Sequence, residues 1–297
     1  MIRRRSASPY LFLAFPVAIL TVFTVGPTLL GLGLGFFDWS GSGPARFVGL
    51  GNYRSLVNDS RFWPALRNTL VFVLLSVPPS VFAGFLLATI VQARWFVGRT
   101  LVRTALFLPT VVSIIAVGVV WRWLLDSAGG LLPRAIVGAG FERSPDFLQG
   151  GPIVSWLPWL SWPMVSLIVI QVWRTAGYCM VLYLAALSGV NESLYEAAEV
   201  DGATRVGVLR NVTWPEVAPM TAFLMVTGVI GGLQVFDIVW AMTSATETDS
   251  TVTLNLYIFR EFQQSRLGYS AAIGGVLFAL TLVATMLQLR VMRRNAA

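Results

Sequence analysis

The stretch Asn68-Thr69-Leu70-Val71-Phe72-Val73-Leu74-Leu75-Ser76-Val77-Pro78-Pro79-Ser80-Val81-Phe82-Ala83-Gly84-Phe85-Leu86-Leu87-Ala88-Thr89-Ile90-Val91-Gln92-Ala93 runs from Arg67 to Arg94 without one charged side chain. About 20 apolar residues suffice for a helix to cross the roughly 30 Å of hydrocarbon in a bilayer. This segment is therefore expected to span a membrane. Similar uncharged runs lie between Arg5 and Asp38, Arg103 and Arg122, Asp146 and Arg174, Arg174 and Glu192, Glu216 and Asp237, and Arg266 and Arg290. Pro152, Pro158 and Pro163 break the run before Arg174, so the two runs flanking Arg174 merge into one span. Six helices are expected, near 10–37, 69–91, 105–125, 164–187, 217–242 and 268–290. The chain reads as an all-α integral membrane protein, one multi-pass domain over 1–297.

Composition points the same way. Only 12% of the residues are charged, against roughly 25% in a soluble domain, and 56% are hydrophobic. Lipid, rather than water, must solvate most of such a chain. The net charge of +7 comes from arginines scattered between apolar blocks, which fits positive-inside topology better than a nucleic-acid stripe. Clusters at Arg3, Arg4 and Arg5, at Arg94, Arg99 and Arg103, and at Arg290, Arg293 and Arg294 favour cytoplasmic N- and C-termini. The uncharged run from Ser6 to Phe37 is far too long for a signal-peptide core of about 7–15 residues. It is expected to be a retained helix, bent by Pro16 and Pro27. Trp156, Trp159 and Trp162, spaced by three, suit an interfacial aromatic belt or a short re-entrant element over 152–163.

Several chemistries are excluded by absence. There is no His and a single Cys, Cys179, so His/Cys metal sites, disulfide frameworks and His-based catalysis find no ligands. All basic residues are Arg, so neither a Lys-dependent P-loop nor a Schiff base is available. No catalytic residue and no metal ligand is assigned. The run Gly31-x-Gly33-x-Gly35 opens no strand-to-helix turn and is not a nucleotide fingerprint.

One loop, 190–215, carries a distinct pattern: Asn191-Glu192-Ser193-Leu194-Tyr195-Glu196-Ala197-Ala198-Glu199-Val200-Asp201-Gly202-Ala203, continuing to Trp214-Pro215. It reads as two short helices joined by a turn. Ser193 with Glu196 forms a capping box that starts the first, and Asp201-Gly202 ends it. The second is expected to begin near Ala203 and to stop before Pro215. Leu194, Ala197 and Ala198 share one small apolar face, the kind of surface a helix needs to lie in a groove on another protein.

The series Glu196-Ala197-Ala198, Gly202 and Val212-Thr213-Trp214-Pro215 resembles the EAA loop of ABC importer permeases. Val212 and Trp214 stand where that family has Ile and Leu. Phe47-Val48-Gly49-Leu50-Gly51-Asn52-Tyr53, Arg61-Phe62-Trp63 with Asn68-Thr69, Phe107-Leu108-Pro109 and Gln234-Val235-Phe236-Asp237 are similar to the carbohydrate-uptake branch, in its maltose-transporter F-type or glycerol-phosphate A-type form. The family's Gly-rich, Pro-ending stretch after the fifth helix is absent; Thr243 to Asp249 stands there instead.

The resemblance implies a type I importer permease translocating a sugar, polyol or glycerophosphate ester by alternating access. It implies that Glu196, Ala197, Ala198, Gly202 and Pro215 couple the chain to separate ATPase subunits. ATP and Mg would then be bound by those partners, and no cofactor by this chain. Further partners would be a second permease subunit and an extracytoplasmic solute-binding protein, with Phe47 to Trp63 as its outer docking surface. Nucleic acid is not expected as a partner.

Arg174 and Asp237 are the ionisable residues placed well inside a span, where a bare charge costs at least about 2.5–3.5 kcal/mol. Two readings stand for each. They line the solute pathway, or they pair with each other or a partner helix, Arg174 alternatively snorkelling. Trp173, Tyr178, Tyr183, Phe236 and Trp240 likewise suit either sugar faces or headgroup anchoring. Gly228, Gly231 and Gly232 are expected to allow close helix approach. The competing functions are a self-sufficient carrier or channel and an intramembrane enzyme. The first calls for internal repeats or broken helices with midplane ion ligands, the second for clustered acids or His at the interface, and neither pattern is evident in the sequence.

Overall fold

In the computed structural model, residues 8–93, 98–157, 159–243 and 249–295 are described. Arg3, Arg4, Arg5, Arg94, Pro158 and most of the Thr243–Asp249 stretch lie outside them. Four helices are long and apolar enough to cross a membrane: Phe12–Leu34, Phe62–Gln92, Trp162–Ser188 and Leu267–Met292. Two bent pairs, Arg99–Val111 with Ile114–Leu125 and Arg205–Glu216 with Ala218–Leu233, bring the number to six. The chain divides into two compact units, Met1–Phe62 with Tyr257–Ala279 and Trp63–Leu256 with Leu280–Ala297.

The first unit is built on the N-terminal span. Its π-turn at Thr21–Val25 directly precedes Gly26-Pro27, with the Gly26 N–H donating to Thr21 O. Proline lacks an N–H, and its ring would collide with the carbonyl four residues earlier; a widened turn relieves that clash. The helix ends at Leu34, three residues short of the expected limit, because Phe37–Asp38 pairs antiparallel with Arg46–Phe47. Asn52, on the helix Gly51–Val57, closes this hairpin by donating to both Gly35 O and Phe37 O at 2.9 Å. Gly268 lies directly under the Phe37 carbonyl, where any β-carbon would overlap it.

A polar cluster locks the same unit. The Glu261 side chain is fully buried and takes ion pairs from Arg266 at 2.6 Å and Arg61 at 3.2 Å. Arg61 and Arg266 in turn lie over the rings of Tyr257 and Tyr269. Asp59 accepts hydrogen bonds from the Tyr257 hydroxyl, from Tyr269 Oη at 2.8 Å and from the Arg61 backbone at 2.9 Å. Burial alone would raise the Asp59 pKa. The donors from Tyr257, Arg61 and Tyr269 overcome it and hold the carboxyl well below the usual carboxylate range. Burial, reinforced by the same contact, pushes the Tyr257 hydroxyl far above its ordinary value.

The second unit packs Phe62–Gln92 against Trp162–Ser188. The sequence reading of 69–91 begins seven residues too late, because the helix continues back through Asn68 and Arg67 to Phe62. Ala218–Leu233 joins them through Gly228 and Gly232, which sit against Val77 and Val73, whereas Gly231 has no neighbour within 4 Å of a built β-carbon and serves no close approach. The expected single helix over 105–125 is two, bent by 97° at Val112–Ser113. Pro109 removes a donor and the β-branched run Thr110-Val111-Val112 favours extended backbone, so the helix yields there. Arg99–Val111 docks on Trp162–Ser188, with Gly177 under the Leu106 carbonyl, and Ile114–Leu125 docks on Asp237–Thr243, with Gly118 against Ala241.

The expected fifth helix over 217–242 also breaks. Ala218–Leu233 ends at Gln234, and a new helix starts at Asp237. The freed carbonyls are satisfied from the following segment: Asn255 Nδ2 donates to Gln234 O at 2.6 Å and Thr253 Oγ1 to Val235 O at 3.3 Å. That segment is fixed by Asn68, whose Nδ2 donates to Val252 O, and by Thr69 Oγ1, which accepts from the Leu254 N–H at 2.9 Å. Between 152 and 163 the described residues form no helix before Trp162. An antiparallel bridge from Pro152 to Ser161 closes a turn there, with Trp156 exposed. The final helix, Leu267–Asn295, extends beyond the expected 268–290.

Asp59 supplies a pH test with a defined sign. Its folded pKa is depressed, so its stabilisation is present above the unfolded value of about 3.9 and is lost as pH falls through the folded pKa. Asp59→Asn is expected to lower stability near neutrality by about 1.5–3 kcal/mol, the usual scale for hydrogen bonds to a charged group. Thermal melts of the purified protein should show a lower Tm at pH 7 and convergence with wild type toward strongly acid pH. A constant difference across that range would contradict the assignment.

Candidate functional site

The loop after the fourth span forms a helix, a left-handed turn and a second helix. The first helix is Glu192–Val200, and its N-cap is Asn191, whose side chain accepts from the Ser193 N–H at 3.1 Å. This corrects the expected Ser193/Glu196 capping box. Asn ranks with Ser as a cap and stands two residues earlier, so Ser193 and Glu196 fall inside the helix. Gly202 adopts φ +70°. Its N–H donates to Glu199 O, and the Ala203 N–H reaches back to Ala198 O at 2.9 Å. This is a Schellman ending, and it explains the spacing: Gly202 occupies the left-handed position just past the helix, where a side chain would be strained.

Thr204 caps the second helix by accepting from the Gly207 N–H at 3.2 Å. The helix does not stop before Pro215 as expected but continues to Glu216. A π-turn over Leu209–Thr213 places the Trp214 N–H on Leu209 O and makes room for the proline ring. The device is the one found ahead of Pro27. At Val217 the chain turns by 64° into Ala218–Leu233.

This hairpin presents apolar groups to its surroundings. None of the residues of Glu192–Val200 is buried; Glu196 and Ala197 are exposed and Ala198 is half-buried. Val200 is 88% and Val206 73% exposed, with Leu194 also exposed. At its far end the hairpin is tied to the spans. The Trp214 ring meets the edge of Phe85 at 4.9 Å, Phe85 meets Tyr183 at 5.5 Å, and Tyr183 Oη donates to Thr221 Oγ1 at 2.8 Å. Phe85 and Tyr183 are buried, so this chain of rings runs from the hairpin into the packed interface of two spanning helices.

Among the residues singled out for a pathway, Arg174 and Tyr178 come together. They line a cavity of about 330 Å³ between Phe62–Gln92, Trp162–Ser188 and Ala218–Leu233. Its other polar lining is Ser76, Ser80, Gln171, Thr175 and Thr227, none of which the sequence reading selected. A signal was available, since Ser76 with Ser80 and Gln171 with Thr175 are i, i+4 polar pairs in apolar helices. Each pair is hydrogen-bonded: Ser80 Oγ to Ser76 O at 2.6 Å, Gln171 Nε2 to Thr175 Oγ1 at 3.1 Å.

The other candidates do not line this cavity. Trp173 faces Trp121 edge-on at 5.7 Å and is exposed. Phe236, Asp237 and Trp240 sit at the break of the fifth span, with Asp237 exposed in the first turn of Asp237–Thr243. Asp237 therefore occupies a helix break rather than the middle of a span. It attracts Arg174 through space, but among the described residues no ion pair joins the two.

Comparison with known proteins agrees with this architecture. Residues 48–296 match the family described as binding-protein-dependent transport system inner membrane component. The lactose transport system permease protein LacF of Rhizobium radiobacter is 33% identical over 284 residues, covering 94% of this chain and 92% of the relative. The sulfoquinovosyl glycerol transport system permease protein SmoG of Agrobacterium fabrum is 30% identical over 286 residues, covering 95% and 89%. Among solved structures, a chain of a bacterial ABC transporter that imports the acidic polysaccharide alginate superposes with a TM-score of 0.83 at 25% identity, covering 98% of this chain and 96% of that one. With residues 48–296 matched by the family model and a helical architecture of up to six spans, this chain belongs to the binding-protein-dependent transport system inner membrane components, as a permease subunit of an ABC importer.

Proposed function

We propose that this permease passes a sugar or sugar-like solute and is driven through the hairpin Glu192–Glu216. The observation that carries the reading is the exposure of small and apolar groups on a helix whose ends are rigidly capped. Such a surface is costly in water and is suited to a groove on a partner. Glu196, Ala197, Ala198 and Gly202 are the contact residues for an ATP-binding subunit, and Pro215 with its π-turn fixes the hairpin's exit. ATP and Mg belong to two such subunits, and a second permease completes the membrane core. The relatives named for lactose and sulfoquinovosyl glycerol, and others named for arabinooligosaccharides and diacetylchitobiose, support a glycoside as solute.

In this account the cavity between the second, fourth and fifth spans is part of the solute path, and Arg174 and Tyr178 contribute to it. Trp173, Phe236, Asp237 and Trp240 act elsewhere, at contacts with a partner helix or at the pathway's edge. The termini lie on the cytoplasmic side with the hairpin. The Phe47–Trp63 segment, held by Asn52 and Asp59, faces the extracytoplasmic binding protein.

Two outcomes are expected. Gly202→Asp places a strained, charged residue in open space at the hairpin turn, at a folding cost of about 1–2 kcal/mol. Co-purification should show the ATP-binding subunit lost while the permease still folds; a bound subunit at wild-type stoichiometry contradicts the coupling role. Phe85→Leu keeps the core filled but removes two edge-to-face contacts worth about 0.5–1.5 kcal/mol each. The ATP-binding subunit should remain attached, while solute carried per ATP hydrolysed falls roughly tenfold, the equivalent of 1.4 kcal/mol. Unchanged coupling would show that the Trp214–Phe85–Tyr183 chain transmits nothing.

A further inference from the structure

Arg174 is the one ionised side chain lining the cavity among the described residues. Its backbone is fixed, because Thr110 Oγ1 donates to its carbonyl at 3.0 Å. Its Nε is buried without a hydrogen-bond partner. Gln171, one turn earlier on the same face, spends its Nε2 on Thr175 and leaves its buried Oε1 without a donor. A donor and an acceptor, both unmet, thus sit side by side on one wall of a cavity of about 330 Å³. Buried groups of this kind are costly unless something completes them.

The pairing specifies what that something carries. Arginine offers only donors in a planar fork that matches an oxyanion, and an unpaired amide oxygen calls for a hydroxyl. Asp237 attracts Arg174 from a distance but does not cap it. The opposite walls offer hydroxyls from Ser76, Ser80 and Thr227 and no carboxylate, so nothing there repels an anion. We propose that Arg174 and Gln171 form a subsite for an oxyanion-bearing saccharide, with the guanidinium on the acidic group and Gln171 Oε1 on a neighbouring hydroxyl. This rests on the reading of the cavity as the solute path and narrows its substrate from glycosides in general to acidic ones.

The test uses the complex of permease and ATP-binding subunits in nanodiscs, with equilibrium binding of labelled digalacturonate and of its neutral counterpart galactobiose. The acidic disaccharide is expected to bind at least about tenfold more tightly at low ionic strength, as for a charge-assisted contact in a partly dry site. Arg174→Gln should bring its affinity down to that of galactobiose, and Arg174→Lys should keep the preference in weaker form. Equal binding of the two disaccharides, no binding of either, or a preference that survives Arg174→Gln would overturn the proposal. Bound ATP-binding subunit, and ATP-driven uptake of a neutral saccharide by proteoliposomes made from the same purified complex, report the importer reading separately. That reading can therefore stand while this subsite falls.

Discussion

Backbone polar groups have no water to turn to inside a bilayer, so every break in a spanning helix must be answered by a side chain or another segment. This requirement organises the larger unit of the chain. The second and fourth spans stay regular, while the third bends at Val112–Ser113 and the fifth, already turned at Val217, breaks at Gln234–Phe236. Asn68, Thr69, Thr253 and Asn255 form a polar seam around the Gln234–Phe236 break, so the chain reverses without orphaned carbonyls. Beside the Val112–Ser113 bend, the Thr110 hydroxyl donates to the Arg174 carbonyl and ties the two helices together. The polar cavity lies on unbroken stretches of Phe62–Gln92, Trp162–Ser188 and Ala218–Leu233, and Arg174, Gln171 and the hydroxyls beside them set its chemistry.

Function follows from how the hairpin is joined to this framework. Its outward side exposes Leu194, Val200 and Val206 among the carboxylates of Glu196, Glu199 and Asp201, while its inner end is tied by aromatic edges to buried positions on two spans. The two π-turns, before Pro27 and before Pro215, apply one solution to the same steric problem. The second places the bend at Val217, between hairpin and fifth span.

Much of the fold was legible from charge spacing, because a charge inside hydrocarbon is costly enough that uncharged runs report spans. Helix interruptions were not legible that way. Val112-Ser113 and Gln234-Val235-Phe236 are uncharged, so runs measured between charges pass over them. The seam that supports the second break joins residues some 180 positions apart, such as Asn68 and Val252. The EAA pattern located the hairpin, and its spacing is explained by the Schellman hydrogen bonds of Ala198, Gly202 and Ala203. The cap was misassigned because Asn191 and Ser193 are equally good caps and only geometry chooses between them. Pathway candidates were sought among charges and aromatics, and hydroxyl and amide residues such as Ser76 and Gln171 were passed over. Single polar residues in apolar runs carry little signal until a fold gathers them.

The central claim is that a neighbouring ATP-hydrolysing protein grips this chain at the hairpin. The most direct measurement is site-specific cross-linking in native membranes from a cysteine placed at Ala197, with Cys179 replaced by serine. The account predicts a single adduct with the ATP-binding subunit, formed from the cytoplasmic side, whose yield changes between nucleotide-free and ATP-bound states. An absent adduct, or a cysteine modified by an impermeant thiol reagent added from outside, would contradict it.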